Sequence, residues 1–189
     1  STIQMYGENI QRPESENYVK GVEALNEGNP EAAYTYLNAE INEHPDNGYA
    51  HCYMALICNF CNDTKLALKA LNSSLELIPE ADTEYRSFAH YSRGVLLTNL
   101  KMWEHAEADL NEAIRLNPED VENYKSRAQL YFETERYEES LDDLTRALKL
   151  DSKADVNDLV LQLMAVAPTS EFMERITATY QQLDQVTIH

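Results

Sequence analysis

Glycine and proline are scarce in this chain: five and six among 189 residues. Few turn-forming residues over that length favour long helices over many-turned β structure. No stretch reaches the roughly 20 consecutive apolar residues of a membrane span. Positive charge is also in short supply. Fifteen basic residues face 33 acidic ones, a net charge of −18. Nucleic-acid binding rests on cations meeting phosphate, so this balance argues against it, and equally against anionic membrane surfaces. It favours a basic or neutral protein partner. The three cysteines, Cys52, Cys58 and Cys61, crowd into one short stretch, which is no disulfide framework. Ser1-Thr2-Ile3-Gln4-Met5 shows no basic region leading into an apolar core, so no signal peptide is expected in these residues. The compartment stays open between cytoplasmic and exported.

What the chain does have is internal repetition. Pro45 and Pro79 stand 34 residues apart; Pro79 and Pro118 stand 39 apart, the same period plus five. Each follows a similar helix ending: Glu-Ile-Asn-Glu-His-Pro, Leu-Glu-Leu-Ile-Pro and Ile-Arg-Leu-Asn-Pro. Counting back gives units 14–47, 48–81, 87–120 and 121–154. Small residues recur at their eighth place (Gly21, Ala55, Gly94, Ala128) and twentieth (Ala33, Ala67, Ala106, Ser140), with leucine at the twenty-fourth (Leu37, Leu71, Leu110, Leu144). Antiparallel helices approach closely only where side chains are small, and a large apolar residue one turn on fills the space between pairs.

The pattern resembles the tetratricopeptide repeat over most of residues 14–154. The resemblance implies an all-α fold: a right-handed α-solenoid of four helix pairs, preceded by an arm (1–13) and followed by a C-terminal capping pair and tail (155–189). Asp46-Asn47-Gly48-Tyr49-Ala50 and the Tyr124 to Tyr131 segment are similar to bacterial, Bacteroidetes-like members. Glu40 and Ser74 depart from the family's usual alanine, so the first two units are expected to pack less regularly.

Turn chemistry fits helix pairs. Asn29-Pro30 and Asn117-Pro118 place a capping side chain before a proline at the first helical position. Asp63-Thr64 offers a similar start, and Gly28 suits a left-handed helix end. The insertion Asp82–Arg86 reads as an extra turn lengthening the next helix from about residue 83. The apolar run 156–166, stopped by Pro168, and a helix from Thr169-Ser170 to about Gln185 read as the cap.

Catalytic chemistry is not expected. Cys58-x-x-Cys61 lacks the βα setting of redox motifs, and zinc would have to recruit Cys52, His51 or His90. Buried small hydrophobes and packed histidines account for these residues. The run Glu138-Glu139-Ser140-Leu141-Asp142-Asp143 reads as a solvated helix face, with Asp142 pairing to Arg146. No phosphate-loop, dinucleotide or zinc-protease motif is present. No cofactor and no metal are expected.

In the family, the first helix of each pair lines a concave groove. Position by position, the resemblance places Tyr18, Val22, Tyr49, Tyr53, Asn59, Phe60, Phe88, Tyr91, Asn99 and Gln129 there. Family members that clamp chaperone C-termini use Lys, Asn, Asn, Lys and Arg at groove places filled here by Tyr18, Val22, Tyr53, Phe88 and Ser92, none of them a cation, so that activity is not expected. Aromatics with hydroxyls suit a protein or peptide ligand. The expected function is a protein–protein interaction scaffold, as a monomer or weak dimer. The other reading is an assembly module that self-associates or docks through the solenoid ends within a longer protein. A third feature is held open: residues 1–13 or the tail can fill the groove from within.

Overall fold

The computed structural model describes residues 10–166 and 169–188, without the side chains of 182–188. Residues 1–9, Ala167, Pro168 and His189 lie outside the described residues, and with them most of the expected arm and the expected stop at Pro168. The described residues hold ten helices and no strand: α1 (Glu16–Asn26), α2 (Pro30–Glu43), α3 (Gly48–Phe60), α4 (Thr64–Leu77), α5 (Thr83–Asn99), α6 (Trp103–Leu116), α7 (Val121–Glu133), α8 (Tyr137–Leu150), α9 (Asn157–Val166) and α10 (Ser170–Ile188). The fold is an all-α helical repeat. The chain divides into two compact units, Ser1–Leu96 and Leu97–His189.

The turns inside the helix pairs share one conformation. Gly28 (φ 76°), Asn62 (φ 60°), Lys101 (φ 61°) and Glu135 (φ 63°) are left-handed, and they repeat at the same 34- and 39-residue spacings as the prolines. After each comes a backbone N–H that reaches back to the preceding helix: Asn29 to Ala24 (2.8 Å), Asp63 to Cys58 (2.8 Å), Met102 to Leu97 (2.9 Å) and Arg136 to Tyr131 (2.7 Å). These bonds satisfy carbonyls that a helix end would otherwise leave without partners. In the first two of these turns the next helix then starts on a side-chain cap. The Asn29 side chain accepts from Ala32 N–H at 3.2 Å and that of Asp63 from Leu66 N–H at 3.2 Å. Asn117 and Pro118 do otherwise. Asn117 ends α6, and Asp120 caps α7 by accepting from Glu122 N–H at 3.0 Å. Two turn residues separate Pro118 from the helix, and the Pro118 carbonyl accepts from the Tyr124 hydroxyl at 2.8 Å.

In the first unit α1 packs on α2 and α3 on α4, with α2 against α3. A methyl group at Gly21 would stand 2.7 Å from Leu37 Cγ, so the missing side chain sets how closely α1 and α2 approach. Ala33, Leu37, Ala55, Ala67 and Leu71 are buried. Glu40 and Ser74 are buried too, yet held. Glu40 Oε2 accepts from Ser15 Oγ at 2.7 Å and Asn47 Nδ2 at 2.8 Å, and Ser74 Oγ donates to the Leu71 carbonyl at 2.8 Å. Hydrogen bonding offsets the cost of burying these polar groups.

In the second unit α7 packs on α8, and α9 and α10 both touch α8. Leu141, Leu144 and Leu148 of α8 share a core with Leu159, Val160, Leu163, Phe172 and Ile176. The acidic run departs from the sequence expectation at two places. Asp143 is buried, not solvated, and takes both Nε (2.8 Å) and Nη2 (2.7 Å) of Arg127. Asp142 pairs with Arg175 of α10 at 2.7 Å, and Glu138 also contacts Arg175. Arg146 instead lies over the Tyr124 ring, 6.0 Å from its centroid. Arg175, on a helix folded back onto α8, meets two carboxylates at once, where the local i, i+4 pairing would engage one.

Candidate functional site

Four tyrosines gather on one side of the first unit. Tyr18 comes from α1, Tyr49 and Tyr53 from α3, and Tyr85 from the start of α5. Their rings meet in sequence: Tyr18–Tyr53 at 6.1 Å, Tyr53–Tyr85 at 6.1 Å and Tyr49–Tyr85 at 4.9 Å, the last edge to face. Such geometry sets the positive ring edge against the negative ring face. The Tyr53 and Tyr85 hydroxyls share a hydrogen bond at 2.7 Å. Burial pushes the Tyr18, Tyr49 and Tyr53 hydroxyls well above the ordinary tyrosine value, so they stay protonated near neutral pH.

A carboxylate sits at the edge of this cluster. Asp82 is 1% exposed. It caps α5, accepting from Tyr85 N–H at 3.3 Å, and Tyr49 donates its hydroxyl to Oδ2 at 2.7 Å. Arg12, in the segment without secondary structure that precedes α1, completes the arrangement. Its Nε and Nη2 each donate to one Asp82 oxygen at 3.1 Å, Nη2 also reaches Glu84 at 3.1 Å, and the guanidinium lies 4.6 Å from the Tyr85 ring centroid. Burial alone would raise the Asp82 pKa; donors from Arg12, Tyr49 and the Tyr85 backbone outweigh it and hold the carboxyl below its ordinary value. Bonding to Asp82 raises that of Arg12. Beside the arm lies a cleft of about 410 Å³ lined in part by Gln11, Pro13, Glu40, Asn47, Tyr49 and Pro79.

The insertion Asp82–Arg86 does more than lengthen a helix. Asp82, Glu84 and Tyr85 hold Arg12, while Arg86 Nη1 donates to the Leu75 carbonyl at 2.8 Å and the Ile78 carbonyl at 2.9 Å, closing the end of α4. Sequence reasoning missed Arg12, Asp82 and Tyr85 as site residues. The five-residue break in the period was the signal available.

The residues inferred from the sequence fall into groups. Tyr18, Tyr49 and Tyr53 come together, the first two buried and Tyr53 half-buried. Val22 and Phe88 pack half-buried against the first unit's core. Phe88 also pairs with half-buried Tyr91 at 6.3 Å. Phe60 stands apart at 74% exposure at the end of α3, beside exposed Asn59. Asn99 and Gln129 belong to the second unit; Asn99 is exposed, and Gln129 donates to Glu133 at 3.2 Å.

The cysteines are free thiols. Cys52 is buried, and that burial pushes its thiol up to about 12, leaving it inert. Cys58 is half-buried and Cys61 exposed. His51 Nε2 donates to the Pro45 carbonyl at 2.9 Å. Among the described residues no group of three metal-ligating side chains assembles, and no helix is long and apolar enough to cross a membrane.

A model of the tetratricopeptide repeat matches residues 89–120 and 121–153. Residues 89–153 thus carry two repeats of the tetratricopeptide family. The chain is 24% identical to human tetratricopeptide repeat protein 6 over 143 residues, 76% of this chain and 26% of that protein. It is 31% identical to the lipoprotein NlpI homolog of Haemophilus influenzae over 87 residues, 46% of this chain and 28% of that protein. The chain thus spans little more than a quarter of either relative. Among solved structures, YrrB, described as a tetratricopeptide protein with an unusual peptide-binding site, superposes with a TM-score of 0.61 at 21% identity, over 72% of this chain and 68% of that one. At that identity the likeness speaks for the fold. Tetratricopeptide folds serve in general as protein-interaction scaffolds.

Proposed function

We propose that this chain is a non-catalytic scaffold that binds a peptide or partner domain on the concave face lined by the first helices of its pairs. The division into an arm (1–13), four helix pairs (14–154) and a capping pair (155–189) belongs to the same reading. The observation that carries it is the tyrosine cluster of α1, α3 and α5. Its rings and protonated hydroxyls form an amphipathic floor, and an extended segment, the chain's own arm, already lies against it. Tyrosine supplies large contact area at low entropic cost, which suits extended ligands. Tyr53, Phe60, Phe88 and Tyr91 retain exposed surface for that purpose, with Asn59 beside Phe60 on the same helix; Asn99 and Gln129 are the polar positions that the reading assigns in the second unit. Peptide binding at an unusual site in YrrB lends this reading support by analogy of fold.

Affinity capture tests it, comparing the chain with a Phe60→Asp/Tyr91→Ala variant whose helicity is unchanged by circular dichroism. Partners held by the first and lost by the second are expected. Identical catches would end the reading.

Assembly through the C-terminal end is the second reading. Leu161 (63% exposed) and Met164 (41%) leave one side of α9 apolar and open. A light-scattering mass of two copies, returned to one by Leu161→Glu, would favour it.

A further inference from the structure

The Asp82 carboxylate is prepared for a cation whether or not Arg12 is present. The Tyr49 hydroxyl and the Tyr85 backbone N–H fix its orientation. With Arg12 in place Asp82 is 1% exposed, so water has little access to the pair and its two charges interact strongly. The carboxylate meets Nε and Nη2 side by side, the Tyr85 ring lies along the guanidinium, and Glu84 (75% exposed) adds a carboxylate at the rim. Planar fork against carboxylate and delocalised cation over aromatic ring are the two recognition features that separate arginine from lysine.

The present occupant is lightly held. Arg12 is 42% exposed, and residues 10–15 have no secondary structure. Pro13 biases Arg12 toward extended backbone. The occupant therefore arrives as an extended peptide would, on a tether that can leave. The chain as a whole carries a net charge of −18, which draws basic segments toward it.

We infer that Asp82, Tyr49 and Tyr85 form a guanidinium-binding subsite for an arginine in an extended segment of a partner protein, with Arg12 as the internal occupant that this arginine displaces. This rests on the scaffold reading above and names the chemistry of its ligand.

The test uses the full chain and a fluorescent, acetylated and amidated peptide with the sequence of residues 10–15, Ile-Gln-Arg-Pro-Glu-Ser. Polarisation is measured for wild type, Arg12→Ala, and Arg12→Ala/Asp82→Asn. A tethered competitor acts at an effective concentration in the millimolar range, so Arg12→Ala is expected to bind at least about tenfold tighter than wild type. Lysine in the peptide's arginine position is expected to weaken binding about tenfold, as is Asp82→Asn, each the loss of a bidentate charge-assisted contact. Equal affinity for arginine and lysine peptides, or no binding to Arg12→Ala, would overturn the subsite and leave Arg12 as an internal strut. A two-copy mass for wild type that Arg12→Ala reduces to one would assign the slot to a second copy and overturn the partner assignment. The capture experiment separates the two readings. Loss of partners with Phe60→Asp/Tyr91→Ala but no arginine preference keeps the scaffold and discards the slot. Arginine preference with identical catches does the reverse.

Discussion

In residues 97–189 the arginines that meet tyrosine are carried by the helices and their turns. Arg127 and Arg136 flank the Tyr131 ring at 5.6 and 4.3 Å. Arg127 is held by Asp143, 16 residues on, and Arg136 by Glu139 and by Glu107, 29 residues back. In residues 1–96 the arginine over Tyr85 comes from outside the repeats, 70 residues from its carboxylate. The chemistry is similar, but the attachment differs. Arg127, 21% exposed and rooted in a packed helix, is fixed with its pair, whereas Arg12 sits on a segment without secondary structure that can leave with the pair intact. The first arrangement is a structural fastening, the second a site with a removable occupant.

Asp143→Ala tests the fastening. It strands the Arg127 guanidinium, 21% exposed, and should cost about 3 kcal/mol, as breaking a mostly buried ion pair does. Urea denaturation measures it; a loss below about 1 kcal/mol would class the pair with surface ion pairs. Asp82→Ala should cost less, about 2 kcal/mol, by removing a helix cap and the acceptor of the Tyr49 hydroxyl. Arg12→Ala should cost no more than about 1 kcal/mol, since its charge is substantially exposed. If Arg12→Ala costs as much as Asp143→Ala, the contrast between the two units collapses.

Acid sharpens the comparison. The Asp82 carboxyl is held below its ordinary value, so its ionised form is favoured by folding. Its contribution is complete above the ordinary aspartate value of about 3.9 and fades as pH falls through the lower folded one. Hydrogen exchange or an NMR titration of the arm should show Arg12 docked at pH 5 and still docked at the ordinary aspartate value of about 3.9, with release only as pH falls below it. Release above pH 5 would contradict the pairing. Asp143 shifts the opposite way, raised by burial against the pull of Arg127.

The smallest effects lie in the turns. Lys101 and Glu135 adopt the conformation that Gly28 adopts without strain. Lys101→Gly and Glu135→Gly should each stabilise by about 0.5–1 kcal/mol, and Gly28→Ala should destabilise by about 1 kcal/mol. Thermal denaturation decides both; a loss on either glycine substitution would show those side chains contributing more than their backbone strain costs.

How much was legible follows from the range of each signal. Gly28 announced its turn, but Lys101 and Glu135 were visible only by counting along the period, because nothing in their side chains favours a positive φ. Asp63 was readable as a cap since its partner lies three residues away, whereas Asn117 was misread because capping and C-terminal positions draw on the same short polar side chains. Asp142 has a plausible local partner in Arg146, and nothing local announces that Arg175 will take it. Asp143 looked solvated because a charge pattern does not show which carboxylate a neighbouring helix will cover. The tyrosines at 18, 49 and 53 were found by position in the repeat. Tyr85 and Asp82 were not, because they sit in the insertion, where the repeat assigns no position.

The amino-acid sequence alone determined the helices, their pairing and the repeat. Those depend on spacing of small and apolar side chains within one period, which is local information. The tertiary structure decided which charges pair and which ring receives Arg12. Those contacts join residues up to 70 positions apart, and their partners are chosen by burial and fork geometry that exist only once the helices have packed.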